Sequence, residues 1–208
     1  MLSSAARRHA RGAQAPRASP TAIVADSDDD LMARVAAGDA EAVRVVVGAH
    51  LSRITAFAAR TLGDRTEAED VAQETFMRLW THAARWEPGR ARLTTWLHRV
   101  ALNLCLDRRA RRPHVSLDAA PLPAAPDTDV TQALQAADVS RHVRVEVMQL
   151  AERQRTALVL SHYQGLSSTE TADVMAISVE AVESLLARAR RTLRERLRAM
   201  APALLGDA

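Results

Sequence analysis

The chain reads SSTETADVMAISVEAVESLLARARRTLRERLR over residues 167–198, a pattern typical of two short helices joined by a tight turn. Ser167 or Ser168 can cap the first helix, with Glu170 completing a capping box, and Ser178 can cap the second. The pattern predicts a helix-turn-helix whose arginine-bearing second helix enters the major groove of DNA, and an ordinary helical hairpin with a solvated basic face is the alternative. Apolar residues at helical spacing are expected to face inward: Leu166, Ala172, Met175, Ile177, Val182, Leu185, Ala189, Leu193 and Leu197.

Composition indicates a mostly helical protein with aliphatic cores. The 208 residues are 48% hydrophobic but only 3% aromatic, and they allow one domain or two small ones. A single cysteine, Cys105, excludes an internal disulfide; its apolar neighbours favour a buried thiol over a redox sensor, and it fits a cytoplasmic location. No apolar run approaches the roughly 18–20 residues that span a bilayer, so we expect no membrane insertion.

Charge is segregated along the chain, although the formal net charge is only +3. Residues 26–80 carry 11 acids against 6 arginines, whereas residues 81–112 carry 8 arginines against 2 acids. Residues 113–140 contain four aspartates and no base. Such alternation indicates one surface for a basic protein partner and two for nucleic acid.

Changes of composition divide the chain into an all-α protein of two helical domains. Breaks at Gly38-Asp39 and Gly63-Asp64 separate the first helices, and Thr94 or Thr95 is expected to open the last helix of the first domain. The predicted units are a disordered tail (1–25), a helical domain (26–112), an acidic Pro/Ala-rich linker (113–138), a smaller helical domain (139–200) and a C-terminal tail (201–208). The N-terminal tail is rich in arginine and has no acids, which is also typical of an organelle transit peptide, and this is the alternative for it.

An acidic helix is predicted over AEDVAQETFMRLW, residues 68–80. Asp70, Gln73, Glu74 and Met77 recur at spacings of three, four and seven and therefore share one exposed side. Two carboxylates, an amide and a flexible thioether suit a basic partner helix, and a merely solvated acidic face is the alternative. A metal site is disfavoured because the helix has no histidine at a partner spacing.

A basic helix with tryptophans is predicted to follow, within residues 85–112. Arginines beside aromatic rings suit a surface that grips phosphates and stacks unpaired bases, at ~1–3 kcal/mol per base. Arg90 and Arg92 lie in a loop and are the better candidates for contact, whereas Trp96 is favoured as a core residue. Such a surface can stabilise opened DNA.

The acidic helix, the basic helix and the helix-turn-helix follow one another along the chain. In this order they resemble an extracytoplasmic-function (ECF, group IV) sigma factor of bacterial RNA polymerase. The resemblance covers about residues 26–200 and implies a sigma-2 domain, a flexible linker and a sigma-4 domain. It implies a promoter-specificity subunit that is not an enzyme, needs no cofactor and is a monomer outside its complexes. The implied partners are core RNA polymerase (β′ clamp helices and β flap), promoter DNA and an anti-sigma factor. The matching stretches are GDAEAVRVVV (38–47), LGDRTEAEDVAQETFMRLW (62–80), TTWLHRVALNLCLDRRARR (94–112) and residues 150–197.

The resemblance also assigns residues to three contacts. The clamp helices of the polymerase would meet Asp70, Gln73, Glu74 and Met77. The −10 promoter element would be melted and a flipped base captured by Arg90, Arg92, Thr94, Thr95, Trp96, Arg99, Asn103, Arg108 and Arg109. The −35 element would meet Ser167, Ser178, Glu183, Ser184, Ala187, Arg188 and Arg191, with Arg155 on a phosphate.

The chain departs from the family at four positions. Glu183 and Leu185 stand where many members carry basic residues, which implies a different −35 sequence, since Glu accepts from cytosine. Ala151 and Ala176 replace a usual proline and a usual glycine, and a helical alanine is expected to be tolerated at the turn. The rival interpretation is a stand-alone helix-turn-helix regulator that dimerises on duplex operators.

Overall fold

The computed structural model describes residues 27–111 and 141–205, with side chains up to residue 198, and every regular element in these ranges is helical. The all-α prediction is confirmed. The predicted N-terminal tail and the interdomain linker lie outside the described residues. The helices are α1 (Asp28–Ala36), α2 (Ala40–Leu62), α3 (Arg65–Ala83), α4 (Leu93–Arg111), α5 (described over 141–148), α6 (Glu152–Leu158), α7 (Ser168–Met175) and α8 (Val179–Leu205).

Side-chain caps set the starts of the first three helices. Ser27 forms a capping box with Asp30 at the start of α1. Asp39 accepts the Glu41 amide at 2.8 Å to start α2, and Asp64 accepts the Glu67 amide at 3.0 Å to start α3. The two breaks predicted from the sequence are therefore confirmed, and each break supplies the cap of the next helix.

The start of α4 differs from the prediction. The helix begins at Leu93 and not at Thr94 or Thr95, and Thr95 is buried within its first turn. The amide of Leu93 donates to the carboxylate of Asp28 at 2.8 Å, so the cap is supplied by α1 from 65 residues earlier in the chain. A cap supplied from a distant helix leaves no local sequence signal, whereas Thr94 and Thr95 are typical capping residues.

Helix α2 is the centre of the first bundle and contacts α1, α3 and α4. With a mean hydropathy of 1.3 it is long and apolar enough to cross a membrane, so the expectation that no such run exists was wrong. Its arginines interrupt the apolar stretch, so the sequence shows no unbroken apolar run. Within the bundle, Ile54 and Phe57 are fully buried. Cys105 is fully buried as well, and burial raises the pKa of its thiol to about 12, as expected of a core thiol and not of a redox sensor.

The predicted helix-turn-helix is confirmed as α7 and α8. Ser167 and Glu170 form the capping box of α7, and Ser178 caps α8 by accepting the Ala181 amide at 3.2 Å. The turn residue Ala176 is left-handed (φ 51°) and not helical, so the expectation of an unstrained alanine was wrong. Helix α8 also runs to Leu205, into the expected C-terminal tail.

The inward stripe of the second domain is largely as predicted. Val182 and Ala189 are buried on α8, while Leu185, Leu193 and Leu197 are only partly buried, and Leu186 takes the deeper place beside Leu185. This core also holds residues of α5, α6 and α7, so the four helices close around one cluster.

The second domain packs directly against the first. A π-helical turn, Val159–Tyr163, follows α6 without interruption and contacts α2, while α7 contacts α4. Val159, Leu160, Leu166 and Val174 belong to the same buried cluster as the core of the first bundle. The two domains therefore share apolar surface, in addition to the polar contacts described below.

Candidate polymerase and nucleic-acid interfaces

The four residues expected to meet polymerase lie together on an outer face of α3. Asp70 and Gln73 are exposed, Glu74 is half-exposed and Met77 is 50% exposed. Asp70 lies 3.3 Å from Arg108, and Glu74 lies 2.9 Å from Arg78 in an i,i+4 pair. Exposed pairs of this kind are weak, so both carboxylates remain available to a stronger basic partner.

An apolar groove between α2 and α3 borders this acidic face. Gln73 belongs to both the face and the groove, which is also lined by Val47, Leu51, Phe76 and Trp80. Leu51 and Trp80 are each more than 40% exposed. Sequence reasoning missed these apolar residues, although the spacing of Trp80, seven residues after Gln73 and three after Met77, could have placed it on the same face.

A cleft of about 770 Å³ opens between the loop before α4 and the start of α7. Five of the residues expected at the −10 element line it: Arg90, Arg92, Thr95, Trp96 and Arg99. Its wall is aromatic, since the His82 ring stacks on Trp96 with centroids 5.0 Å apart, and Trp86 meets both rings edge-on. Trp96 packs against the core with one side, as the sequence favoured, and stacks on His82 with its ring.

The remaining −10 candidates lie elsewhere on α4. Asn103 is exposed, and Arg108 turns toward α3, where it meets Asp70. Arg109 turns toward the second domain and α2, lying 3.8 Å from Glu152 and donating to the Thr61 carbonyl at 3.3 Å. Thr94 is half-buried, with its carbonyl 2.8 Å from Nδ1 of His98. These four side chains therefore do not join the cleft.

Two cleft arginines are engaged by the second domain. Nη1 of Arg92 lies 2.8 Å from Oε1 of Glu170, and Nε of Arg99 donates to the Asp173 carbonyl at 3.1 Å. Hydrogen bonds from Ser167, and then the Arg92 guanidinium, hold the pKa of Glu170 below its ordinary value. A carboxylate at the start of α7 thus occupies a position that a DNA phosphate could take.

The residues expected at the −35 element are exposed, apart from Arg155. Side chains on α8 project away from the core at the spacing of one helical face, and Ser167 and Ser178 lie exposed at the starts of α7 and α8. The exposed α8 residues are Glu183, Ser184, Ala187, Arg188 and Arg191.

Arg155 contradicts its assignment to a phosphate. Its side chain is 2% exposed, and Nη1 donates to the Met148 carbonyl at 2.6 Å, near the end of α5. A guanidinium enclosed between α5 and α6 cannot reach a phosphate on the surface. The helical spacing of the arginines in the sequence could not distinguish this inward-facing arginine from the exposed ones.

Comparisons with known proteins identify the family. Residues 46–114 match the family model for sigma-70 region 2, and residues 143–193 match the model for sigma-70 region 4. The chain is 31% identical over 176 residues to the ECF RNA polymerase sigma factor SigW of Bacillus subtilis, covering 79% of this chain and 94% of SigW. This chain belongs to the ECF RNA polymerase sigma factors.

A further relative matches this sigma factor over a similar share of both chains. SigL of Mycobacterium tuberculosis is 32% identical over 173 residues, which cover 78% of this sigma factor and 94% of SigL. The region 2 match includes α3 and α4, and the region 4 match includes α6, α7 and the start of α8. Helix α1 lies outside both matched ranges.

Two solved structures resemble this sigma factor over both domains. CnrH, solved in complex with the cytosolic domain of CnrY, is 31% identical with a TM-score of 0.63, covering 84% of this chain and 99% of CnrH. RpoE of Bartonella quintana, solved with the anti-sigma factor NepR, is 22% identical with a TM-score of 0.64, covering 74% and 96% respectively. The second likeness supports the fold alone.

Proposed function

We propose that this sigma factor joins core RNA polymerase through the acidic face of α3 and directs it to promoters. The groove lined by Leu51 and Trp80 extends that face, and its apolar surface suits a helix that carries both basic and apolar side chains. The cleft at the start of α4 would hold the opened −10 element, and the outer face of α8 would read the −35 element. We further propose that the protein acts in the bacterial cytoplasm and is no enzyme by itself.

The observation that carries this proposal is the combination of arginines and aromatic rings in one cleft. Arg90, Arg92 and Arg99 can grip phosphates, while the stacked His82 and Trp96 rings offer apolar surface to a base. Duplex recognition alone does not require such a surface, because bases in a closed duplex are already stacked. The cleft therefore favours a promoter-opening subunit over the stand-alone regulator.

A promoter-bound form would differ from the arrangement described above. The two promoter elements lie roughly 25 base pairs apart, or about 85 Å at 3.4 Å per base pair. In the described arrangement the −10 cleft touches α7, the first helix of the −35 module. We propose that the domains separate when polymerase and promoter bind, and that an anti-sigma factor holds them together. In support, CnrH was solved in complex with a second protein, the cytosolic domain of CnrY.

Affinity for core polymerase tests this function. Reversing charge with Asp70→Arg and Glu74→Arg is expected to abolish binding of the purified chain to core polymerase while the helical content stays unchanged. Glu41→Arg is a control, because it also breaks an exposed ion pair, between Glu41 and Arg44 at 2.6 Å, and Glu41 does not line the groove. Unchanged core affinity of the double variant would defeat the assignment.

A further inference from the structure

The first turn of α1 holds the loop that forms the floor of the cleft. Asp29 accepts two hydrogen bonds, one from the indole Nε1 of Trp86 at 2.8 Å and one from the amide of Gly89 at 3.1 Å. Gly89 is left-handed (φ 73°), so this turn of the loop has little conformational preference of its own. One carboxylate thus fixes both an aromatic ring and the backbone of the loop.

The ring held by Asp29 is part of the aromatic wall. Trp86 stands edge-on to His82 and Trp96, with ring centroids 6.5 and 6.4 Å away. An indole free of its hydrogen bond could rotate about its side-chain torsions, and the surface offered to a stacking base would change. The neighbouring acid Asp28 caps α4. Asp28 therefore fixes the start of the helix, and Asp29 fixes the loop before it.

We propose that Asp29 is a positioning residue of the −10 site, which sets base preference by orienting Trp86 and the loop of residues 86–92. This inference rests on the proposed function. Helix α1 lies outside the residues matched to region 2, and Asp29, which lines the cleft, would act through Trp86 and the loop. Preorganisation of the ring lowers the cost of capturing an unpaired base, because the wall does not have to be ordered during promoter opening.

The test is run-off transcription by the complete holoenzyme on a promoter library randomised at the −10 element. Asp29→Ala and Trp86→Phe are expected to reduce discrimination at one −10 position by about five- to tenfold, because bases differ in how strongly they stack and a misaligned ring would no longer exploit that difference. Discrimination at the −35 element should stay unchanged. Because both variants lose the contact between Trp86 and Asp29, their combined effect should be less than the sum of the two single effects.

Asp30→Ala is the matched control. Asp30 lies on the same turn and forms the capping box of α1, so its loss lowers stability without touching the loop. A flat loss over all promoters in both Asp29→Ala and Asp30→Ala would overturn the proposal, because a merely structural role predicts that result. If the holoenzyme with the wild-type chain transcribed no member of the library, the proposed function itself would be wrong.

An NMR measurement on the free chain provides a second readout. The indole N–H signal of Trp86, assigned by its disappearance in Trp86→Phe, should move upfield in Asp29→Ala and stay in place in Asp30→Ala. An unmoved signal in Asp29→Ala would overturn the contact even if promoter preference changed.

Discussion

The guanidinium of Arg92 lies 2.8 Å from the carboxylate of Glu170, although 78 residues separate the two in sequence. Arg92 lines the cleft proposed for the −10 element, and Glu170 starts the first helix of the helix-turn-helix. The pair is largely exposed on the Arg92 side, so it contributes less than about 1 kcal/mol. The apolar cluster that the two domains share adds to this contact, and a partner that binds Arg92 more tightly could displace Glu170 from it.

Separation of the domains can be measured by energy transfer between fluorophores. In a Cys105→Ala background, labels at Ala110→Cys on α4 and Thr169→Cys on α7 should show high transfer in the free chain. Transfer should fall sharply in the promoter-bound holoenzyme, because the two promoter elements lie about 85 Å apart. A control pair, Ala49→Cys with Ala110→Cys, lies within the first domain and should not change. High transfer persisting in the promoter complex would contradict the proposed opening.

Arg188 is exposed in the middle of the outer face of α8. If it reads a base edge, Arg188→Ala should cost ~1–3 kcal/mol at one −35 position and relax the preference there. If it holds a phosphate, binding should weaken equally on all sequences and the salt dependence should become shallower. Binding of the holoenzyme to a −35 library at two salt concentrations distinguishes the two. No loss on any promoter would remove Arg188 from the interface.

Ala176 adopts a left-handed conformation at the turn between α7 and α8. Ala176→Gly should raise the free energy of unfolding by about 0.5–1 kcal/mol, because relief of the Cβ clash outweighs the extra entropy of the unfolded chain. Chemical denaturation measures the change. Ala33→Gly, at an exposed helical position of α1, should lower stability by a similar amount. Destabilisation by Ala176→Gly would show that the turn does not hold the strain described.

Acid should weaken the fold through His98. Burial lowers the pKa of His98, which lies edge-on to Phe57 at 5.4 Å, and this effect outweighs the hydrogen bonds with Thr94 and Gln164, which act in the opposite direction. The folded state therefore favours the neutral ring, so stability is complete above pH about 6.5 and falls as the pH drops through the folded-state pKa. His98→Gln should reduce this loss between pH 7.5 and 5.5 by up to about 1.4 kcal/mol per pH unit. Equal pH slopes for both proteins in denaturant titrations would refute this role.

The helices could be predicted from the sequence because their signals are local. Ser27, Asp39 and Asp64 cap helices within three residues of themselves, and the same holds for the Ser167–Glu170 box. The exposed face of α3 followed from helical spacing alone. These signals need no knowledge of the tertiary structure.

The parts that escaped prediction depend on tertiary contacts. The inward turn of Arg155 and the cap that Asp28 supplies to α4 depend on neighbouring helices. The contact of Asp29 with Trp86 spans 57 residues and has no periodic signature. The packing of α7 against α4 likewise follows from surface complementarity that no single helix encodes.

Run-off transcription with purified core polymerase on a library of genomic promoter fragments tests the central claim most directly. Core polymerase with this chain is expected to start transcription at a small set of fragments that share −10 and −35 sequences. The chain alone is expected to bind the same duplexes poorly. Tight binding of the isolated chain to duplex operators as a dimer, with no transcript from any fragment, would contradict the account.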